Sequence, residues 1–141
     1  MRMYKLLKDI LNSINNIITY FKMKDVSLWT GSLSAGQSAT IPNISSYNIV
    51  TVITPYNEIL CDIRNGRLNG WTSDYSSGSN VHYATFILGK ISGDTLTMMY
   101  SEYLAHIPNG GHGTGEHYFP IVEIIGVEPK LAPIFSGGGT K

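Results

Sequence analysis

Two short stretches of this chain mix aromatic rings with hydrogen-bonding groups in the manner that non-covalent saccharide binding requires. The apolar face of a sugar stacks on a ring while its hydroxyls meet acidic, amide and hydroxyl side chains. Trp71, Asp74 and Tyr75, with Thr72 and Ser73 between them, supply that mixture in one predicted loop, and Tyr100, Glu102 and Tyr103 supply it again. The candidate glycan-binding residues are therefore Trp71, Asp74, Tyr75, Tyr100 and Tyr103. Rings of this kind also fill cores and subunit contacts, so their number alone does not separate a lectin surface from an interface.

A second set of residues has the chemistry to hold a metal. His106, His112 and His117 fall with Glu116 in one glycine-rich segment, at spacings that match no established zinc pattern. In a trimer, a histidine near the threefold axis is supplied three times, so a symmetric site can arise from a sequence that looks ordinary in one copy. The other reading is an exposed loop whose histidines make ordinary hydrogen bonds.

Enzyme chemistry finds little support. Asp62, Asp74, Glu102 and Glu116 are the carboxyl groups available for glycoside hydrolysis, yet no motif pairs them across a cleft. The run Gly111-His112-Gly113-Thr114-Gly115 lacks the spacing, the lysine and the following helix of a phosphate loop. Gly31-Ser32-Leu33-Ser34-Ala35-Gly36 misses the nucleophile elbow by one glycine and has no helix after it. Cys61, the sole cysteine, excludes an intrachain disulfide and reads as a small buried side chain in a strand, with a reactive thiol as the other reading. The expectation is a protein that is not an enzyme and needs no cofactor.

Charge narrows the partners. Ten basic residues balance ten acidic ones, so no electrostatic footprint for nucleic acid or an anionic membrane is present. Charged residues make up 14% of the chain, against roughly 25% in an average globular protein, which points to a surface partly covered by other subunits. Lys8, Asp9, Asn12, Asn15 and Asn16 interrupt the apolar positions near the start, so no secretion signal is expected, and no stretch reaches the ~18 apolar residues of a membrane span.

The elements that must position these groups differ sharply along the chain. Met3, Leu7, Ile10, Ile14, Ile17 and Phe21 follow the 4-3 heptad rhythm that places every member on one seam of a helix over residues 3–24. Isoleucine at both a and d positions favours three strands over two, because β-branched side chains pack poorly into the dimeric d site. These six residues are the predicted oligomerisation contacts. A helix folded back onto its own domain, or one lying on a membrane surface, would share the same apolar stripe.

From residue 27 onward, short β-branched and aromatic runs alternate with Gly, Asn, Ser and Pro clusters, an all-β texture. The predicted strands are 27–30, 38–41, 47–54, 58–64, 67–72, 82–91, 95–100 and 118–127. A tight hairpin is expected at Asn65-Gly66 and another at Ser92-Gly93-Asp94, with a long loop between Glu102 and His117. Ile49, Val50, Val52 and Ile53 are apolar on both faces, as in a strand that lies centrally or against a neighbouring subunit. The expected fold class is mainly β with an N-terminal α-helix: a short, trimeric coiled coil over 1–25, an antiparallel, jelly-roll-like β-sandwich over 26–128, and a flexible tail over 129–141.

Leu28-Trp29-Thr30-Gly31-Ser32, the turn Ala35-Gly36-Gln37, the strand from Tyr47 to Val52 and the closing Ile124-Ile125-Gly126-Val127 resemble small β-domains of bacteriophage tail-fibre and baseplate proteins. In those domains a strand with Trp-x-Gly opens the fold and an Ile-x-Gly-Ile/Val strand closes it. The resemblance implies a homotrimeric virion protein, bound to other virion proteins through its N-terminal segment. It also implies a distal β-domain that meets host-surface glycan. A head fibre, a decoration protein or a baseplate subunit with a purely architectural role is the other role that fits.

Overall fold

The computed structural model describes residues 2–78, 80–107 and 111–130, with the backbone alone at 76, 103, 106, 107 and 111–118. Among the described residues one α-helix, α1 (Arg2–Met23), precedes nine strands: β1 (Val26–Leu33), β2 (Ser38–Thr40), β3 (Tyr47–Ile53), β4 (Glu58–Arg64), β5 (Arg67–Ser76), β6 (Val81–Ser92), β7 (Thr95–Ile107), β8 (Gly111–Tyr118) and β9 (Ile121–Pro129), with a single 3-10 turn at Ile44–Ser46 before β3. The mainly antiparallel β character and the single N-terminal helix match the reading of the sequence.

The strands form one sheet in the order β1-β9-β3-β4-β5-β6-β7-β2, with β8 also on β7. Here the expected two-sheet sandwich gives way to a single, nearly closed sheet. The cause lies in the first turn. β1 is one edge and β2 lies at the other, yet only residues 34–37 separate them, so the two edges must meet. Gln37 holds that turn, its side-chain oxygen accepting from the Ser34 N–H at 2.9 Å, while the Gly36 N–H donates to the Met98 carbonyl at 2.7 Å.

Strand alternation fills the enclosed side with a continuous apolar core that includes Leu33, Ile41, Tyr47, Val50, Val52, Ile59, Leu68, Ile87, Leu96, Met98, Ile121 and Ile124. β3 is central, between β9 and β4, the first of the two placements its apolar faces allow. Asn65 and Gly66 take φ of 52° and 69°, the paired positive values of a hairpin turn that follows the sheet's twist. At Gly126 the Tyr47 ring crosses the backbone so closely that a Cβ would lie 2.3 Å from it.

Two expected features differ. β5 and β6 pair as far as Ser76 and Val81, so the predicted Trp71 to Tyr75 loop is strand. Much of the predicted loop from Glu102 to His117 is the β7–β8 hairpin, because β6 offers a long edge on which β7 continues to His106. The expected tail lies outside the described residues from 131 onward, whereas Pro129 pairs with Tyr47 and the Lys130 N–H donates to the Ser46 carbonyl.

α1 has no buried residue among those described. It meets the β-domain at its C-terminal end, where Met23 packs on the core and the Tyr47 hydroxyl donates to the Met23 carbonyl at 2.6 Å. That bond satisfies one of the carbonyls a helix end leaves open. No described helix is long and apolar enough to cross a membrane.

Candidate functional site

Because the stretch from Trp71 to Tyr75 is strand, its side chains divide between the two faces of the sheet. Trp71 stands on the outer face, opposite Phe86 on β6, which in turn stands opposite Glu102 on β7. The adjacent row runs Asp62, Asn69, Leu88, Tyr100 across β4 to β7. These two rows, with Leu104, line an open groove of about 540 Å³. Trp71 is 67% exposed and Tyr100 38% exposed, so both rings present a face to solvent.

Polar groups punctuate the groove. Asp62 pairs with the Arg64 guanidinium at 3.0 Å, an exposed contact of small energetic weight. Glu102 is 4% exposed, and its Oε2 has no hydrogen-bond partner among the described residues. The arrangement can stack a planar or sugar-like apolar face on Trp71 while offering acceptors at its floor and edge.

Asp74 belongs to a different place. With Thr72, Tyr83 and Thr85 it lines a recess of about 380 Å³ toward the inner side of the sheet, next to the turn between β3 and β4. There the Asn57 amide donates to Thr85 Oγ1 at 3.0 Å and the Thr54 hydroxyl donates to Asn57 Oδ1 at 2.9 Å. Tyr75 sits near the hairpin end, its ring 4.6 Å from that of His82 and its hydroxyl donating to Asn80 Oδ1 at 2.7 Å. Of the five expected glycan-binding residues, Trp71 and Tyr100 thus share one groove, Asp74 and Tyr75 lie elsewhere, and the Tyr103 side chain lies outside those described. Phe86 and Glu102 complete the groove; only a register that pairs β5 with β6 and β6 with β7 reveals Phe86 as part of it.

The side chains of His106, His112 and His117 lie outside those described. Backbone register places His106 opposite both His82 and His112, while His117 falls opposite Tyr103. Among the described residues no group of three His, Cys, Asp or Glu is gathered in metal-binding fashion. Cys61 is fully buried, and that burial, with the Asp62 charge as a lesser cause, pushes its thiol up to about 12, so it is an inert core side chain at neutral pH.

No family model matches the chain, and no curated protein or solved structure proves similar to it.

Proposed function

We propose that the chain is a virion structural protein of fibre type, of the bacteriophage tail-fibre and baseplate kind. In this reading three copies join along α1, which also attaches them to other virion proteins. The three β-domains form a head that contacts host-surface glycan through the Trp71 and Tyr100 groove, by binding and not by catalysis.

One observation carries the reading. Met3, Leu7, Ile10, Ile14, Ile17 and Phe21 are each between 47% and 75% exposed, although they lie on one seam. A protomer gains nothing from that seam. Covering the remaining surface is worth on the order of 1 kcal/mol per side chain, enough across six positions and three helices to drive association. The helix of 22 residues is close to three heptads, near the minimum for a self-sufficient coil, and its tie to the β-domain through Met23 and Tyr47 adds support.

The architectural reading is favoured by the same outer face, since Trp71, Phe86, Leu104 and Met99 together resemble a surface another protein would cover. A glycan array and whole-cell binding separate the two: saturable attachment lost in Trp71→Ala supports the adhesin, and no attachment to any glycan or host cell leaves the architectural role. Ile14→Asn or Ile17→Asn is expected to dissociate the oligomer, and an unchanged mass in light scattering contradicts the seam.

A further inference from the structure

Sugar stacking on Trp71 does not account for Glu102. Its side chain lines the groove although the residue is only 4% exposed, and Oε2 meets no donor among the described residues. A carboxylate oxygen kept from water without a donor is unfavourable, and a ligand that brings one relieves it. The charge around it selects the kind of donor. Two carboxyl groups line the groove: Asp62, which the Arg64 guanidinium already pairs at 3.0 Å, and Glu102, which meets no cation among the described residues. The Trp71, Phe86 and Tyr100 rings add electron-rich faces. Carboxylate and rings together favour a cation, since charge-assisted hydrogen bonds are about twice as strong as neutral ones and aromatic faces attract ammonium groups.

We propose that this groove binds a glycan carrying free amino groups, a hexosamine whose apolar face rests on Trp71 and whose ammonium meets the Glu102 carboxylate as that side chain turns toward the groove to bring Oε2 to the donor. The inference rests on the reading of this face as a glycan surface and narrows it to cationic sugars, against N-acetylated and uronate ones. Glu102, which no described cation offsets, repels the carboxylates of a uronate.

Calorimetric titration of the full chain with glucosamine tetramer, N-acetylglucosamine tetramer, a uronate tetramer and tetralysine tests it, at low ionic strength where charge effects are least screened. The expected result is saturable binding of glucosamine tetramer, about tenfold or more tighter than its acetylated form, which is ~1.4 kcal/mol. The uronate should not bind. Glu102→Gln should lower the glucosamine affinity to that of the acetylated sugar, and Trp71→Ala should abolish both. Equal affinity for the two sugars, still lost in Trp71→Ala, overturns the ammonium preference and leaves the glycan surface standing. Tetralysine binding as tightly as glucosamine tetramer overturns the sugar assignment, and no binding of any saccharide overturns both readings. Should Glu102→Gln fail to fold, the ligand series on the unsubstituted chain decides alone.

Discussion

Gly126→Ala tests the packing that ties the helix to the β-domain. The added Cβ would lie 2.3 Å from Tyr47 Cε1 and 2.4 Å from Cζ, where ordinary contact begins at 3.4 Å, so the ring or the strand must shift by about 1 Å. Tyr47 has little room, being 2% exposed, and its hydroxyl donates to the Met23 carbonyl at 2.6 Å. Overpacking of this kind costs about 1–3 kcal/mol, and loss of the hydrogen bond adds ~1 kcal/mol. The expected destabilisation is thus about 2–4 kcal/mol, a large share of the roughly 5–15 kcal/mol that holds a domain together. Urea unfolding at a fixed protomer concentration measures it. A double-mutant cycle sharpens the test. Tyr47→Leu alone opens a cavity and removes the hydrogen bond, but in the double variant the methyl introduced by Gly126→Ala enters vacated space, so the two changes should fall short of additivity by about 1–2 kcal/mol. Additive effects, or a Gly126→Ala protein within ~0.5 kcal/mol of the parent, would refute the reasoning.

Cys61 makes stability fall in alkali. Its folded thiol is raised from 9.0 to about 12, so the stabilisation is whole below pH 9 and lost as pH climbs toward 12. Unfolding free energy should drop by up to ~1.4 kcal/mol per pH unit in that window, and Cys61→Ala should flatten the slope. Burial raises the Tyr47 phenol too and adds a decline of the same sign at higher pH. Gly66→Ala places a Cβ at φ of 69° and should cost about 1 kcal/mol in thermal or urea melts. Trp71→Ala should leave stability within ~0.5 kcal/mol, since the ring is 67% exposed, so a large loss would mean that the ring packs as core.

Local signals were legible in the sequence, and long-range ones were not. The heptad over residues 3–24 becomes α1, Asn65-Gly66 turns as its chemistry demands, and the doubly apolar run at 49–53 is a central strand. Closure of the sheet depends on β1 and β2 lying at opposite edges, which no short window of residues reveals. The same limit split the expected glycan set. Ser73, Asp74 and Ser76 look like loop residues, yet pairing with β6 makes them strand, and alternation then sends Trp71 and Asp74 to opposite faces. The glycine-rich run after Glu102 carries no apolar alternation, so β8 is set by its pairing with β7 and not by its own residues.

The seam of α1 is tested most directly by the mass of the unaltered chain in dilute buffer, measured by light scattering after gel filtration. The account predicts a species close to three times the 15.5 kDa of one chain, with its β-rich circular dichroism intact. A well-folded particle of 15.5 kDa that keeps this mass as concentration rises would contradict it.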